Sequence, residues 1–323
     1  MLNNKRVFFE ILRGHTVIET DLGRFNIKHL SNFEICELDE KYEEFFNKAR
    51  NEGLPTNEYQ IQEAIKLGLW SKEKDKEILD TSIFIEGQEK AKQNLPLKSQ
   101  KDAIKESIKN QQKKLHKLNE EKLSFLTSTA ESYAEKQLNN YYVFRTLRKS
   151  DINTSFTEEE FNDLPFDVIK KLAEAYGKAM SCFKIENIKK IALIPDFTNI
   201  FYLCNDDPYI FYGLPVIKLT AYQTQLFTYG KYFKHILSEA RDKVAKEFLD
   251  NPDDLIDWYE GKKSVDKILK DNHKDAPGAS SIVGATKEDL KHLGLDDNVI
   301  DIAKEAKKRG GLNFQEIIAL HGG

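Results

Sequence analysis

Two acidic clusters hold the residues best suited by type and spacing to chemistry. NDDPY at 205–209 and NPDDLIDWYE at 251–260 concentrate carboxylates, and Asp253, Asp254 and Asp257 fall within about one helical turn. Carboxylates so placed could hold Mg²⁺ or divide the roles of acid and base. They also stand where a helix would begin. There they would accept bonds from free backbone N–H groups and complement the helix dipole, which is the simpler reading. The seven histidines are scattered singly, no HExxH occurs, and Cys36, Cys182 and Cys204 lie far apart without metal-ligand spacing. GxxxxGK[ST], GxGxxG at a strand-to-helix junction and GxSxG are absent. No catalytic residue, metal ligand or cofactor is assigned, and the chain reads as a non-enzyme.

Two features suit binding. Lys101, Lys105, Lys109, Lys113 and Lys117 recur every four residues, a basic stripe along about 24 Å of helix that could follow a nucleic-acid backbone. Few aromatics and almost no arginine accompany it, so a solvated helix face is the alternative. The second feature is the aromatic concentration between Phe197 and Phe233, NIFYLCNDDPYIFYGLP followed by AYQTQLFTYGKYF. Rings of this kind anchor hydrophobic cores and protein interfaces alike, and stacking of single-stranded bases is a further possibility. Phe201, Tyr202, Tyr209, Tyr212 and Tyr229, with Phe314 near the C-terminus, are the partner-binding candidates.

The elements that must position these residues are mainly helical. RVFFEIL and HTVIETDLGRFNIKHL alternate apolar and polar residues around turn chemistry at Asp21 and Gly23, so residues 5–30 are expected as a β-hairpin or three short strands. Ser31 with Glu34 forms a capping box ahead of a stripe through Phe33, Leu38, Tyr42 and Phe45, a helix ending before Gly53. Thr56 opens the next helix, closed by Gly68 and Trp70, and Ser71 opens one towards Gln93. From Ser99 to Phe125, Ile104, Ile108, Leu115, Leu118 and Phe125 follow a heptad spacing with Gln111 and Lys122 at seam positions. With Pro96 at the bend, residues 71–126 read as a polar, coiled-coil-like antiparallel hairpin, leaning on the body or protruding from it. Capping boxes at Ser128/Glu131 and Thr157/Glu160, a helix after Pro165, a long one from Thr220 and another after Asn251–Pro252 complete the series.

The expected fold is therefore mainly α, a multi-helix body with a small N-terminal β-hairpin and a protruding helical hairpin. Four segments follow: 1–70, hairpin plus helices; 71–126, the polar hairpin; 127–272, the aromatic-rich helical domain; and 273–323, a linker and docking tail. Seven of the 16 glycines lie between Gly278 and Gly323, breaking that tail into pieces too small to bury much surface. A net charge of −4 provides no global field towards nucleic acid or anionic lipid. The cysteines read as buried thiols in a reducing compartment. With no apolar run near the roughly 20 residues needed to span a bilayer and no signal-like N-terminus, a soluble intracellular protein is expected.

The layout, from a hairpin entering the body through HLSNFE to a tail ending EIIALHGG, resembles a structural or assembly protein of a tailed bacteriophage. The Lys-, Asn- and Ile-rich composition, with Lys about five times as frequent as Arg, is similar to that of phages with AT-rich genomes. The resemblance implies action through protein surfaces, as a virion component or tail-assembly chaperone in the host cytoplasm or the particle. Its partners would be other protein subunits, a homo-oligomer among the possibilities, with no membrane role. A nucleic-acid-binding protein using the lysine stripe is the competing class, and an enzyme of unrecognised type a third.

Overall fold

The computed structural model describes residues 4–95, 97–240, 244, 249–275, 307–309 and 311. Pro96, Phe314 and nearly all of the tail expected at 273–323 lie outside the described residues. The protein is mainly helical with a small antiparallel sheet, and its chain forms two compact units, residues 1–71 with 122–241 and residues 72–121 with 242–323. The sequence segments are thus regrouped: the first 70 residues share a unit with the aromatic-rich stretch, whereas the helix that follows Asn251 belongs with the polar hairpin.

In the first unit, α1 (Asn4–Arg13) precedes β1 (His15–Thr20) and β2 (Gly23–Lys28). The expectation of strand over RVFFEIL is corrected here. Val7, Phe8 and Ile11 are spaced for one helical stripe, and all three are buried with α1 packed on α9 (Ile185–Ile191) and α12 (Ala221–Ala240). The run satisfies a period of 2 as well as 3.6, and burial against two helices decides between them. Gly14, at φ +71°, turns the chain out of α1 in a left-handed conformation that suits glycine.

β1 and β2 pair as a hairpin from His15↔Lys28 to Thr20↔Gly23, and β2 also pairs with the short β3 (Leu147–Arg148). Ile18, Ile27 and Leu147 then meet Phe161 and Leu172, from α7 (Glu158–Asn162) and α8 (Phe166–Met180), in one core. α2 (Asn32–Asn51) runs antiparallel to α6 (Ala130–Thr146), because Phe45 meets Tyr141 while Glu37 pairs with Arg145. The fully buried Ala49, Ala130 and Ala134 let these helices approach closely.

The capping chemistry matches the sequence at Ser31/Glu34 and Thr157/Glu160, where both reciprocal bonds form. Thr56 likewise accepts from Tyr59 N at the start of α3 (Asn57–Lys66). The box expected at Ser128 is displaced by one residue. Thr129 caps α6 by accepting from Ser132 N, and Glu131 reaches across to accept from Asn57 N at 2.9 Å, serving α3 instead of its own helix.

In the second unit, α4 (Lys72–Asn94) and α5 (Lys98–Leu123) form the expected antiparallel hairpin, across which Lys74 pairs with Glu121 and Glu77 with Lys114. α13 (Pro252–Asp275) packs on α4 and brings buried Leu255, Trp258 and Tyr259 into this unit. Among the described residues, no helix is long and apolar enough to cross a membrane.

Two buried positions in the first unit generate predictions. A Cβ at Gly230 of α12 would lie 2.6 Å from Cζ of Phe197 and 3.0 Å from Cε2 of Phe201. Gly230→Ala is therefore expected to destabilise the protein by ~1–3 kcal/mol from overpacking, net of ~1 kcal/mol gained in helix propensity. A chemical-denaturation midpoint equal to or above wild type would refute this.

His29 is 97% buried, edge-on to the rings of Phe183 and Tyr222, which stack on each other, and burial lowers its pKa to about 3. Thr16 Oγ1 donates to Glu10 Oε2, so His29 Nε2 donates to Thr16 at 2.9 Å and Nδ1 has no partner. In the unfolded chain His29 takes up its proton below pH ~6.5, while the folded imidazole stays neutral down to about 3. Its contribution is complete above pH ~6.5 and declines as the pH falls towards 3. Between pH 6 and 5, wild type should lose about 1 kcal/mol more unfolding free energy than His29→Gln does. Equal slopes in the two proteins would contradict this.

Candidate protein-docking surface

The aromatic segment is built from three short or long helices around one ring cluster. α10 (Pro195–Phe201) and α11 (Pro208–Tyr212) each start with proline at the first helical position, where the missing N–H costs nothing. Asp207 caps α11 by accepting from Tyr209 N at 2.8 Å, and Gly213, at φ +68°, closes it. Between α10 and α11, Asn205 and Asp206 both take positive φ, 51° and 59°. Two successive non-glycine residues in that region are strained by roughly 1 kcal/mol or more each, and Lys234 of α12 secures the turn through Asp206 at 2.7 Å.

Inside the cluster, Phe197 stacks on Phe201 at 5.0 Å, Phe211 meets both edge-on, and Phe227 meets Phe201 at 5.1 Å. Cys204 is buried beneath, its thiol donating to Phe201 O. The Tyr212 hydroxyl donates to Gln223 O at 2.9 Å, and burial raises its pKa far above the usual phenol range.

The outward side is apolar too. Leu203 is 80% exposed, Ile217 67%, Val216 61%, and Tyr209 and Ile210 59% each. Ile200, Tyr202 and Leu214 are also exposed. The sequence candidates accordingly divide. Tyr202 and Tyr209 lie on the outer surface, Phe201 belongs to the core, Tyr212 is tied inward, and Tyr229 is half-buried, stacked on Phe233 with Lys189 over its ring at 5.6 Å. Phe314 lies outside the described residues. Sequence reasoning missed the aliphatic side chains, Leu203, Ile210, Val216 and Ile217. A signal existed: Tyr209-Ile210-Phe211-Tyr212 is apolar throughout a single turn and a half of helix, which cannot bury every face.

The lysine stripe is divided in the same way. Lys101 is 98% buried; its Nζ donates to Asp257 O at 2.8 Å and lies 3.7 Å from the Asp257 carboxylate, and burial lowers its pKa. Lys105 donates to Asp257 Oδ2 at 2.6 Å. These two therefore leave the candidate nucleic-acid face, on which Lys109, Lys113 and Lys117 remain exposed. Lys101 sits three residues before Ile104, on the same heptad seam as Ile108 and Gln111, so the seam continued backwards points to its burial.

The acidic cluster at 251–260 is used structurally. Asp253 and Asp254 occupy the first turn of α13, where Asn251 Oδ1 accepts from Asp253 N, while Asp257 holds the two lysines. Asp206 and Asp207 of the other cluster serve Lys234 and the start of α11. Among the described residues, no group of three or more His, Cys, Asp or Glu side chains is placed to hold a metal ion. Cys36 is exposed and Cys182 half-buried, which corrects the expectation of three buried thiols. Cys36 falls on the solvent side of α2, where its neighbours, not its residue type, set its exposure.

No family model, curated protein or solved structure matches this chain.

The Asp257 clamp yields a differential prediction. Asp257→Ala leaves a buried ammonium without its counter-ion and should cost ~3–5 kcal/mol, whereas Lys101→Met, which removes the buried charge and keeps an apolar stem, should cost clearly less. Chemical denaturation of the full chain checks the order; Lys101→Met as damaging as Asp257→Ala would contradict it.

Proposed function

We propose that this chain acts without catalysis, by association with other protein subunits, as a virion component or assembly factor of a tailed-phage particle, in the host cytoplasm or the particle itself. The observation that carries the association is the concentration of exposed apolar side chains between Ile200 and Ile217, on a segment whose other rings pack into the core. Concentrations of large exposed apolar side chains are characteristic of protein-binding sites. The strained Asn205–Asp206 turn adds to this reading, since such strain is retained where presentation of neighbouring side chains matters. The phage assignment rests on the layout and composition of the sequence.

Nucleic-acid binding is the weaker alternative, because two of its five lysines are engaged with Asp257. Charge placed on the apolar row tests the proposal. Leu203→Asp with Ile210→Asp should reduce recovery of the partner subunits from the native host context by at least about tenfold, with an unchanged circular-dichroism spectrum. Recovery of the same proteins in the same amounts by variant and wild type would remove it.

A further inference from the structure

We infer that the groove between α1 and the open edge of β1 takes an extended peptide segment of a partner protein, added to the sheet as a further antiparallel strand with a carboxylate near its C-terminal end beside Arg13. This surface is separate from the apolar side chains at 200–217, and the inference does not rest on them.

The strand register leaves one edge of the sheet open. β1 is an outermost strand, paired with β2 alone. His29 N donates to Gly14 O at 2.8 Å, one step beyond the His15↔Lys28 pair, so the backbone of Thr16, Ile18 and Thr20 faces β2 and that of His15, Val17 and Glu19 faces away. Among the described residues, Val17 and Glu19 make no backbone bond on that outer side. Arg6 Nη2 lies 3.5 Å from Val17 O, a long contact that an incoming N–H can replace. An edge of alternating N–H and C=O groups is complementary to another strand and not to a purely apolar partner.

The open edge borders a cavity of about 510 Å³, lined by Val17 and Glu19 from the strand and by Arg6, Phe9, Glu10 and Arg13 from one face of α1. That volume falls within the ~300–1,000 Å³ of ligand sites, and the strand from His15 to Glu19 runs roughly 13 Å, the length of about four extended residues. The helical wall is fixed from behind. Val7, Phe8 and Ile11 are buried on the far side of α1. Arg6 Nε donates to Glu10 Oε1 at 2.8 Å, and Glu10 is held in turn by Thr16, which also meets the buried His29. Phe9, 40% exposed, adds an apolar wall.

Charge selects the end at which an acid belongs. Arg6 is matched by Glu10, Glu19 stands opposite Arg24 across the ladder, and Lys28, opposite His15, is taken by Glu34. Arg13, exposed at the end of α1, has no ion pair among the described residues. It adjoins the start of β1, where a strand running antiparallel to β1 finishes, so the carboxylate that it recruits is C-terminal in the peptide.

Selection of short peptides from a synthetic library, random in sequence and amidated at the C-terminus, on the purified full chain tests the inference. Recovered peptides should carry Asp or Glu near the C-terminus and bind with Kd of ~1–100 µM. Val17→Pro removes an outward N–H and spares the bonds to β2, so it should weaken binding by at least ~30-fold at an unchanged thermal midpoint. Arg13→Gln should weaken it about tenfold. On the wild-type chain, N-methylation of one alternate set of peptide amides should abolish binding while methylation of the other set leaves it, a readout independent of how Val17→Pro folds. Recovery of no peptide, indifference to both methylation sets, or affinity unchanged in Arg13→Gln overturns the inference. Recovery of partner subunits through Leu203 and Ile210 is decided separately from all of these.

Discussion

The close approach of α12 to α10 at Gly230 is the constraint on which the functional surface depends. Only a residue without a side chain lets the rings of Phe197 and Phe201 lie against the α12 backbone. With those rings in place, Phe211 and Phe227 close the cluster, and α11 is held with one side inward. The same packing draws α1 onto the unit, since Phe8 meets Phe197 edge-on at 5.7 Å. Core and surface are therefore two sides of one arrangement: the rings that turn inward determine which aliphatic neighbours remain outside.

The second unit is organised by electrostatics as much as by apolar burial. α4 and α5 are polar helices with a thin seam, made antiparallel by the short connection from Asn94 to Lys98 and bridged by partly exposed ion pairs. Asp257 of α13 then holds Lys101 and Lys105 of α5 together. A buried ammonium is tolerable only because a carboxylate and a backbone carbonyl meet it. The stripe of lysines that looks like a nucleic-acid face in one dimension is thus split into a structural half and a solvated half.

Uncompensated features cluster in the first unit. His29 carries a ring nitrogen with no hydrogen-bond partner beside the stacked Phe183 and Tyr222, and Asn205 and Asp206 occupy a left-handed turn. The first is consistent with a histidine kept neutral by its surroundings. The second lies between Leu203 and Tyr209, both of which are exposed.

Local chemistry was legible in the sequence. Ser31 with Glu34, Thr56 and Thr157 with Glu160 start helices because each bond they make spans three residues. The β1–β2 hairpin and the α4–α5 pairing follow from short-range turn and heptad patterns in the same way. Where a pattern allowed two outcomes, only tertiary packing chose. Val7–Ile11 suits strand or helix until α9 and α12 bury it, and Glu131 suits its own cap until Asn57 N is brought within 2.9 Å. The candidate site shows the same division. Its aromatic richness is written in the sequence, but which of Phe201, Tyr202, Tyr209 and Tyr212 face outward depends on contacts with α12 and with residues far along the chain. Residue type determines the free energy available from burial, and the neighbours supplied by the fold determine whether that burial occurs within the chain or is left for a partner.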